Sequence, residues 1–474
     1  MNSNTLSSTG TALGSGQLPR SSDLQSEQNL FAIPVLNHFL LYAPLSGLAA
    51  LVNGVALLHL RDGIIDGPLS ELMEALRANV RPAPRPIQGE FVPHFLGLLP
   101  TRDCNLACRY CGFQIAGGHH HASMPLTLAR DAVTWYMDQV RQSGSRQAEV
   151  HFFGGEAFCA EEVLDFSVPL SRQLALDAGI SVKFEVATNG AFSEERCRWA
   201  ADHLDTVVLS LDGPADVQDL NRPYRGGRGS FQTVTRSATI LSAGSADLYL
   251  RSCVTAQTAD RLPEIADWFC QAFHPAGVCF ESLQPTPQSE AAGLQPPDPL
   301  PFARGFIKAA RLLASHDVEP IYTAADIRAL RVSFCPVGQD VAIVSPDGVI
   351  NACYLLQSEW EAKGLDLRLG RMSNRAACLD EGAVQAARDL NVWNKPHCER
   401  CFCKWHCAGG CHVNHQPADP TGAHARLCVQ TRIIAVWNIL NSLGRADLAE
   451  EWLADDEAVN RTEARPSDLL MDVV

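Results

Sequence analysis

The stretch Thr101-Arg102-Asp103-Cys104-Asn105-Leu106-Ala107-Cys108-Arg109-Tyr110-Cys111 decides how the rest of the chain is read. Its cysteines stand at the spacing C-x3-C-x2-C and supply three thiolates, one short of the four that close an ordinary iron–sulfur cluster. A cluster with three protein ligands leaves one iron open, and an open metal position marks chemistry rather than scaffolding. The plainer alternative is three buried or zinc-binding cysteines. At this cysteine content the spacing arises by chance on the order of 0.02 times per chain.

Working outward, strand and helix alternate six times. Strands are expected at 95–99, 149–153, 183–187, 206–211, 248–254 and 278–283, with helices starting near Thr127, Glu161, Ser193, Ser230, Arg261 and Pro301. Repeated βα units argue for an α/β fold, a parallel sheet with helices outside. In such folds ligands sit at the carboxyl ends of the strands. Three polar motifs fall at such ends: Gly154-Gly155-Glu156-Ala157, Thr188-Asn189-Gly190 and Ser210-Leu211-Asp212-Gly213-Pro214. Each is also ordinary turn chemistry. Two glycines, however, let a backbone approach a ligand, and a following carboxylate can take an ammonium group.

With Tyr110 before its last cysteine, the opening stretch resembles the C-x3-C-x-aromatic-C signature of radical S-adenosylmethionine (radical SAM) enzymes. In that family SAM chelates the fourth iron, and electron transfer from the cluster releases a 5′-deoxyadenosyl radical that takes a hydrogen atom from substrate. The resemblance implies a partial (βα)6 barrel over residues 91–320. Gly154, Gly155 and Glu156 look like the family's GGE(P) motif for the SAM amino group, with Ala157 in place of proline. S-L-D-G-P, followed by Asp219, Arg222 and Gly229-Ser230-Phe231, looks like the stretch shared by peptide- and protein-modifying members; Gln218 stands where histidine is common. Tyr110, Asn189, Ser210 and Arg251 join the implied SAM contacts. Glu281, at the end of the sixth strand, is the candidate catalytic base, and His119-His120-His121 reads as an exposed polar loop.

Farther on, Cys335 is followed by twelve residues, Gly348, four residues and Cys353; then come Cys398-x2-Cys401-x5-Cys407-x3-Cys411 and Cys428. This order resembles the SPASM extension of radical SAM enzymes, here over 330–432. It implies two auxiliary four-iron clusters, three clusters in all. Cys398, Cys401, Cys407 and Cys428 would ligate the outer one, and Cys335, Cys353 and Cys411 the inner one. Where some members carry an eighth cysteine this chain has Ala329, so the inner cluster's fourth ligand is open or substituted, with Cys403 a candidate. A zinc ribbon would explain four of these cysteines, not seven. Residues 341–344 and 349–350 flank Pro346-Asp347-Gly348 as a hairpin. The remaining cysteines (Cys159, Cys197, Cys253, Cys270, Cys279 and Cys378) read as core residues.

Ahead of the cysteine stretch, residues 1–28 are Ser/Gly/Gln-rich, lack apolar content and are expected to be disordered. Residues 29–90 read as strand, strand, helix, helix, ending in the stiff Pro82–Pro86 linker. The order resembles winged-helix modules that bind leader peptides; a plain cap on the catalytic region fits equally well. After residue 433 a helical, then acidic, segment closes the chain.

Length bounds the chain at about two to four domains. A formal charge of −15 excludes a broad nucleic-acid footprint. Residues 1–28 show no signal peptide, and the apolar run 39–60 is broken by Pro44, Gly47, Asn53, Gly54 and His59, a poor membrane span. Seventeen cysteines, most of them clustered at ligand spacings, point to a reducing cytoplasm. The resemblance implies a maturase acting on a ribosomally made peptide or protein, with an electron donor such as flavodoxin or ferredoxin. An intrapeptide cross-link is the leading expectation. Oxidation of one Ser or Cys to formylglycine is the alternative, and a catalytically silent peptide-binding scaffold the third.

Overall fold

The computed structural model describes residues 30–78, 80–114, 123–414 and 423–460. The expected tail at 1–28, His119 to His121 and the last acidic residues therefore lie outside the described residues. Two compact units are present, one ending at Pro82 and one spanning Ala83–Arg465.

The first unit is a three-stranded antiparallel sheet in the order β1 (Phe31–Val35), β2 (His38–Ala43), β3 (Leu48–Val52), followed by helices Gly54–Arg61 and Pro68–Ala78. The Asn53 side chain caps the first helix, accepting from the Ala56 amide at 2.9 Å. Ala32, Leu41 and Leu57 form its core, with Leu72 packed against them. Strand β1 escaped the sequence reading because Pro34 reads as a breaker. It is tolerated because β1 is an edge strand. The β1–β2 turn also lacks glycine, and Leu36 itself takes a left-handed φ of 52°.

In the second unit, β4 (Leu96–Leu98), β5 (Gln147–Phe152), β6 (Ser181–Thr188), β7 (Thr206–Ser210), β8 (Asp247–Val254), β9 (Gly277–Ser282) and β10 (Glu319–Ile321) lie parallel and in sequence order. All six strands expected from the sequence are present. The seventh, β10, was missed because it is three residues long and carries Pro320, which its edge position allows. Strand β8 alternates half-exposed Tyr249, Arg251 and Cys253 with buried Leu248, Leu250, Ser252 and Val254. A sheet covered on both faces would read as continuously apolar. The alternation leaves one face of the strands open, and that face receives the polar residues.

On its other side β4 pairs in parallel with β11 (Ala342–Val344), and β12 (Val349–Asn351), β13 (Arg368–Ser373) and β14 (Ala376–Leu379) continue antiparallel. The expected hairpin is β11–β12. The cysteine-rich region is thus hydrogen-bonded into the same sheet that carries the strand-end motifs. Helix Pro299–Ser315 packs against helix Leu262–Ala272 and against Ala423–Ser442, which begins before the expected boundary at 433.

A buried ion pair locks this junction. Arg388 donates to both oxygens of Asp340 at 2.8 and 2.7 Å and also to the Gly89 carbonyl at 2.9 Å, while the Val92 amide donates to Asp340 Oδ2. Both side chains are at least nine-tenths buried. Removing one partner strands the other charge, so Asp340→Ala should cost about 3–5 kcal/mol of unfolding free energy. Chemical denaturation monitored by circular dichroism checks this; an unchanged midpoint contradicts it.

Candidate metal centre and active site

The cysteine stretch leaves β4 as an irregular loop, and the loops at neighbouring strand ends hold it by its backbone. The Gly155 and Glu156 amides donate to the Thr101 and Asp103 carbonyls at 3.1 and 2.8 Å. From the other side, the Ala107 and Arg109 amides donate to the Pro223 and Asn221 carbonyls at 2.7 and 2.9 Å. Asn105 and Asn189 pair through their side chains at 2.9 Å. A Cβ on Gly154 would strike the Thr101 carbonyl, and one on Gly155 the Arg102 and Asp103 carbonyls. The two glycines are therefore required for backbone-to-backbone packing, whatever they contribute to a ligand.

Cys104, Cys108 and Cys111 stand close enough to repel one another as thiolates, and burial pushes all three thiols up, Cys108 to about 12. Cys104 Sγ accepts from the Leu106 amide and from Asn189 Nδ2, each at 3.4 Å. Three enclosed, protonated thiols in one group suit a metal that displaces their protons on binding. Over Gly112, next to Cys111, lies the carboxylate of Glu359 from the C-terminal cysteine region. Burial raises its pKa, and its charge acts on both Cys111 and Cys353.

Glu156 is buried and accepts from Phe158 N at 3.2 Å and Thr188 Oγ1 at 2.7 Å on one oxygen, and from Asn189 N at 2.7 Å on the other. Burial pushes its pKa up, against these three hydrogen bonds. A carboxylate offers about four acceptor sites. Glu156 first ties the β5 loop to the β6 loop and keeps one site in reserve. Asn189 is fully engaged, by Glu156, Asn105, Cys104 and the Ala191 amide.

The centre that sequence reasoning missed is Asp212. Its carboxylate accepts from Tyr110 Oη at 2.6 Å, Asn221 Nδ2 at 3.1 Å, Arg222 Nε at 2.9 Å and the Cys253 amide at 3.1 Å. Gln218, at the position noted for histidine, accepts from the Asp212 amide and donates to Ser230 Oγ. Tyr110 is thus anchored through its hydroxyl; burial raises its pKa, which keeps that hydroxyl a donor. The signal was the S-L-D-G-P stretch with Arg222 ten residues past the aspartate, but the partner at Tyr110 is 102 residues away.

On the open face Ser210 of β7 lies in register with Arg251 of β8. Arg251 forms an ion pair with Glu281 of β9, and the Cys279 thiol donates to the other Glu281 oxygen at 3.7 Å. The candidate SAM-carboxylate partner and the candidate base are therefore one unit. Cys253 and Cys279 line this face, and Cys159 and Cys378 are exposed, so the expectation that all unclustered cysteines are core residues holds only for Cys197 and Cys270.

The C-terminal cysteines fall into two groups by mutual repulsion: Cys335, Cys353 and Cys411, and Cys398, Cys401, Cys407 and Cys428. Cys403 hydrogen-bonds Cys401 and acts on Cys407, so it belongs with the second group and does not complete the first. The short turn into helix Lys404–Cys407 places it there. Lys395 is the shared cation. It donates to the Gly409 and Gly410 carbonyls at 2.8 and 3.2 Å and feels thiols of both groups, while burial lowers its pKa. Among the described residues no three His, Cys, Asp or Glu side chains close on a point that would hold a single metal ion.

No family model matches the chain. Over 343 residues it is 26% identical to the serine-type anaerobic sulfatase-maturating enzyme of Klebsiella aerogenes, covering 66% of this chain and 78% of that one. A cysteine-type anaerobic sulfatase-maturating enzyme of Clostridium perfringens is 23% identical over 168 residues, 35% of this chain and 45% of that one. Among solved structures, native anSMEcpe with bound AdoMet and the Cp18Cys peptide superposes with a TM-score of 0.59 at 17% identity, over 74% of this chain and 99% of that chain. The fold is that of a solved AdoMet-bound enzyme, and the three-cysteine loop stands where the sequence resembles radical SAM enzymes. The chain is similar to these sulfatase-maturating enzymes. Among the described residues no helix is long and apolar enough to cross a membrane.

Glu156→Gln should lower unfolding free energy by about 1–3 kcal/mol even without SAM, because an amide NH2 would face groups that already donate. Unchanged stability would leave Glu156 with a ligand-binding role alone.

Proposed function

We propose that Cys104, Cys108 and Cys111 hold a four-iron cluster and that the chain uses SAM there to oxidise a single side chain of a peptide or protein. The carrying observation is the packed three-thiol loop, one thiolate short of closure, at the carboxyl ends of the strands. In this reading β4 to β10 form a partial barrel and the cysteine-rich region is a SPASM domain, with auxiliary clusters at Cys335, Cys353 and Cys411 and at Cys398, Cys401, Cys407 and Cys428. Seven cysteines in two groups beside a shared lysine exceed the four that a zinc ribbon needs.

SAM bound at such a cluster supplies a 5′-deoxyadenosyl radical for hydrogen abstraction. Gly154 and Gly155 keep the loop close, and the remaining acceptor site of Glu156 suits the SAM ammonium. The Ser210 side chain makes no hydrogen bond among the described residues and faces the opening beside Arg251, where ribose or carboxylate oxygens could be held. Glu281, oriented by Arg251, would accept the substrate proton. The electron left on the substrate would pass to an auxiliary cluster, and a flavodoxin or ferredoxin in a reducing cytoplasm would supply the first electron.

Single-residue oxidation is favoured over a cross-link because the matched relatives are named sulfatase-maturating enzymes. A cross-linking maturase remains the second reading. The solved enzyme is covered almost completely by 74% of this chain, which leaves about a quarter unmatched. The separate unit ending at Pro82 would then dock a leader peptide, for which β3, paired only with β2 among the described residues, offers a free edge.

Anaerobically reconstituted protein should carry about twelve irons per chain. Replacing Cys104, Cys108 and Cys111 by Ala should remove one cluster and all SAM cleavage. Zinc as the dominant metal contradicts the reading. Incubation with sulfatase-derived Ser or Cys peptides should give an aldehyde product by mass spectrometry; an intact peptide carrying a new internal bond would favour the cross-link.

Deleting residues 30–82 should raise the apparent KM for a leader-bearing peptide and leave peptide-independent SAM cleavage nearly intact. Loss of soluble protein or of clusters on truncation would instead assign the unit a structural role.

A further inference from the structure

We propose that Arg225, Arg228 and Arg236 form a docking surface for a small acidic electron-carrier protein at the outer end of the three-cysteine loop. The inference rests on the reading that a flavodoxin or ferredoxin supplies the first electron, and it assigns the surface which that protein uses.

The turn that follows helix Ala215–Asn221 is fastened to the cysteine loop by its backbone. Besides the Ala107 and Arg109 amides, which donate to Pro223 and Asn221, Leu106 pairs with Tyr224 in an antiparallel bridge, and the Arg225 amide donates to the Asn105 carbonyl at 3.3 Å. The Tyr224 amide donates to the Arg228 carbonyl and the Gly227 amide to the Tyr224 carbonyl, both at 2.8 Å, which closes the tight turn Arg225-Gly226-Gly227-Arg228. A Cβ on Gly226 or Gly227 would meet no atom within 4 Å, so the tip stands clear of the molecule. Arg225 and Arg228 are exposed on it, Arg228 lying 4.5 Å from the centre of the Tyr224 ring. Arg236, exposed on helix Phe231–Ser242, donates to the Phe192 carbonyl at 2.8 Å, and the neighbouring Ala191 carbonyl accepts from Asn105 Nδ2 at 2.7 Å. The three arginines thus stand on segments tied to the loop at or beside Asn105, the residue after Cys104.

Charge decides what such a surface takes. The chain carries a formal charge of −15, and elsewhere its surface arginines are neutralised in pairs, as Arg196 is by Asp165, Arg261 by Asp216, Arg328 by Asp326 and Arg368 by Asp366. Among the described residues Arg225, Arg228 and Arg236 have no acidic partner. Asp219, at the base of the turn, packs its carboxylate against Gly229 and accepts from the Phe231 amide at 2.7 Å. Leu220, 55% exposed, adds apolar surface at the end of the preceding helix. Unneutralised cations on an otherwise acidic protein steer an acidic partner to one face. Redox encounters are small and transient, which a few charges and one apolar contact suit. Electron transfer falls steeply with distance, and this surface brings a donor against the segment that carries Cys104.

The test uses reconstituted full-length protein with two reductants, an acidic flavodoxin and dithionite, which needs no docking surface. The Arg225→Glu/Arg228→Glu/Arg236→Glu variant should raise the KM for reduced flavodoxin in SAM cleavage by about tenfold or more at low salt. It should weaken flavodoxin binding, measured by isothermal titration calorimetry, to a similar degree and leave dithionite-driven cleavage within about twofold of wild type. The difference should shrink toward about 0.15 M salt, where the Debye length is about 8 Å. Lys308→Glu, on the exposed side of helix Pro299–Ser315, should leave flavodoxin binding unchanged. Absence of flavodoxin binding to wild type, a KM and affinity unmoved by the reversal, or an effect of Lys308→Glu as large as that of Arg225→Glu overturns the proposal. So does a rise confined to the KM for peptide, which would make the surface a site for an acidic substrate segment. If the reversed protein loses iron or dithionite-driven cleavage, the corresponding triple Arg→Gln variant carries the test by binding alone: weaker, less salt-dependent flavodoxin binding supports the proposal, and wild-type binding refutes it. Wild-type protein that cleaves no SAM with dithionite sinks the functional reading itself; dithionite-driven cleavage with an unaltered flavodoxin response in the reversed protein sinks only this inference.

Discussion

The carboxylate of Asp212 joins three other parts of the chain. Tyr110 from the cysteine loop, Asn221 and Arg222 from the end of a helix, and the Cys253 amide on β8 all donate to it. An ionised carboxylate inside a protein is costly unless every acceptor site is met, and here each is. Because Tyr110 lies between two of the three cysteines, satisfying Asp212 also fixes where those cysteines stand. Removing any donor would leave a buried charge short of a partner, so the loop, the helix end and the strand are held as one set.

The backbone contacts around the loop follow the same logic at shorter range. Glycines at 154 and 155 let two chains approach to carbonyl distance, and the next residue, Glu156, gathers the β6 loop. What results is a group of thiols that burial keeps protonated until a metal takes the protons' place. Burial raises the thiols of Cys335, Cys353 and Cys411 in the same way, and Lys395 is the cation shared by the two C-terminal groups. Glu359 reaches from that region to Gly112, so the first group and the inner C-terminal group share a carboxylate at their border.

Much of this was legible in the sequence because it is local. Strand-helix alternation depends on spacing along the chain, and so does the cysteine order that carries the SPASM resemblance. What stayed hidden was either short or long-range. Strands β1 and β10 contain proline and survive only at sheet edges, which a linear pattern does not display. Asp212, Arg222 and Lys395 act on partners brought near by folding alone. Arg251 and Glu281 were each given a separate role, and only strand pairing shows that they neutralise one another. Likewise, Cys253 and Cys279 read as core from their types, although their strand phase turns them to the open face.

The central claim is that the loop from Cys104 to Cys111 holds a cluster with one iron left open for SAM. The most direct measurement is the electron paramagnetic resonance spectrum of reduced protein with and without SAM. One cluster signal should change on addition of SAM, and it should be the one missing from the Cys104/Cys108/Cys111→Ala protein, while the others stay constant. A spectrum that SAM leaves unaltered, with all cluster signals present, would contradict the account.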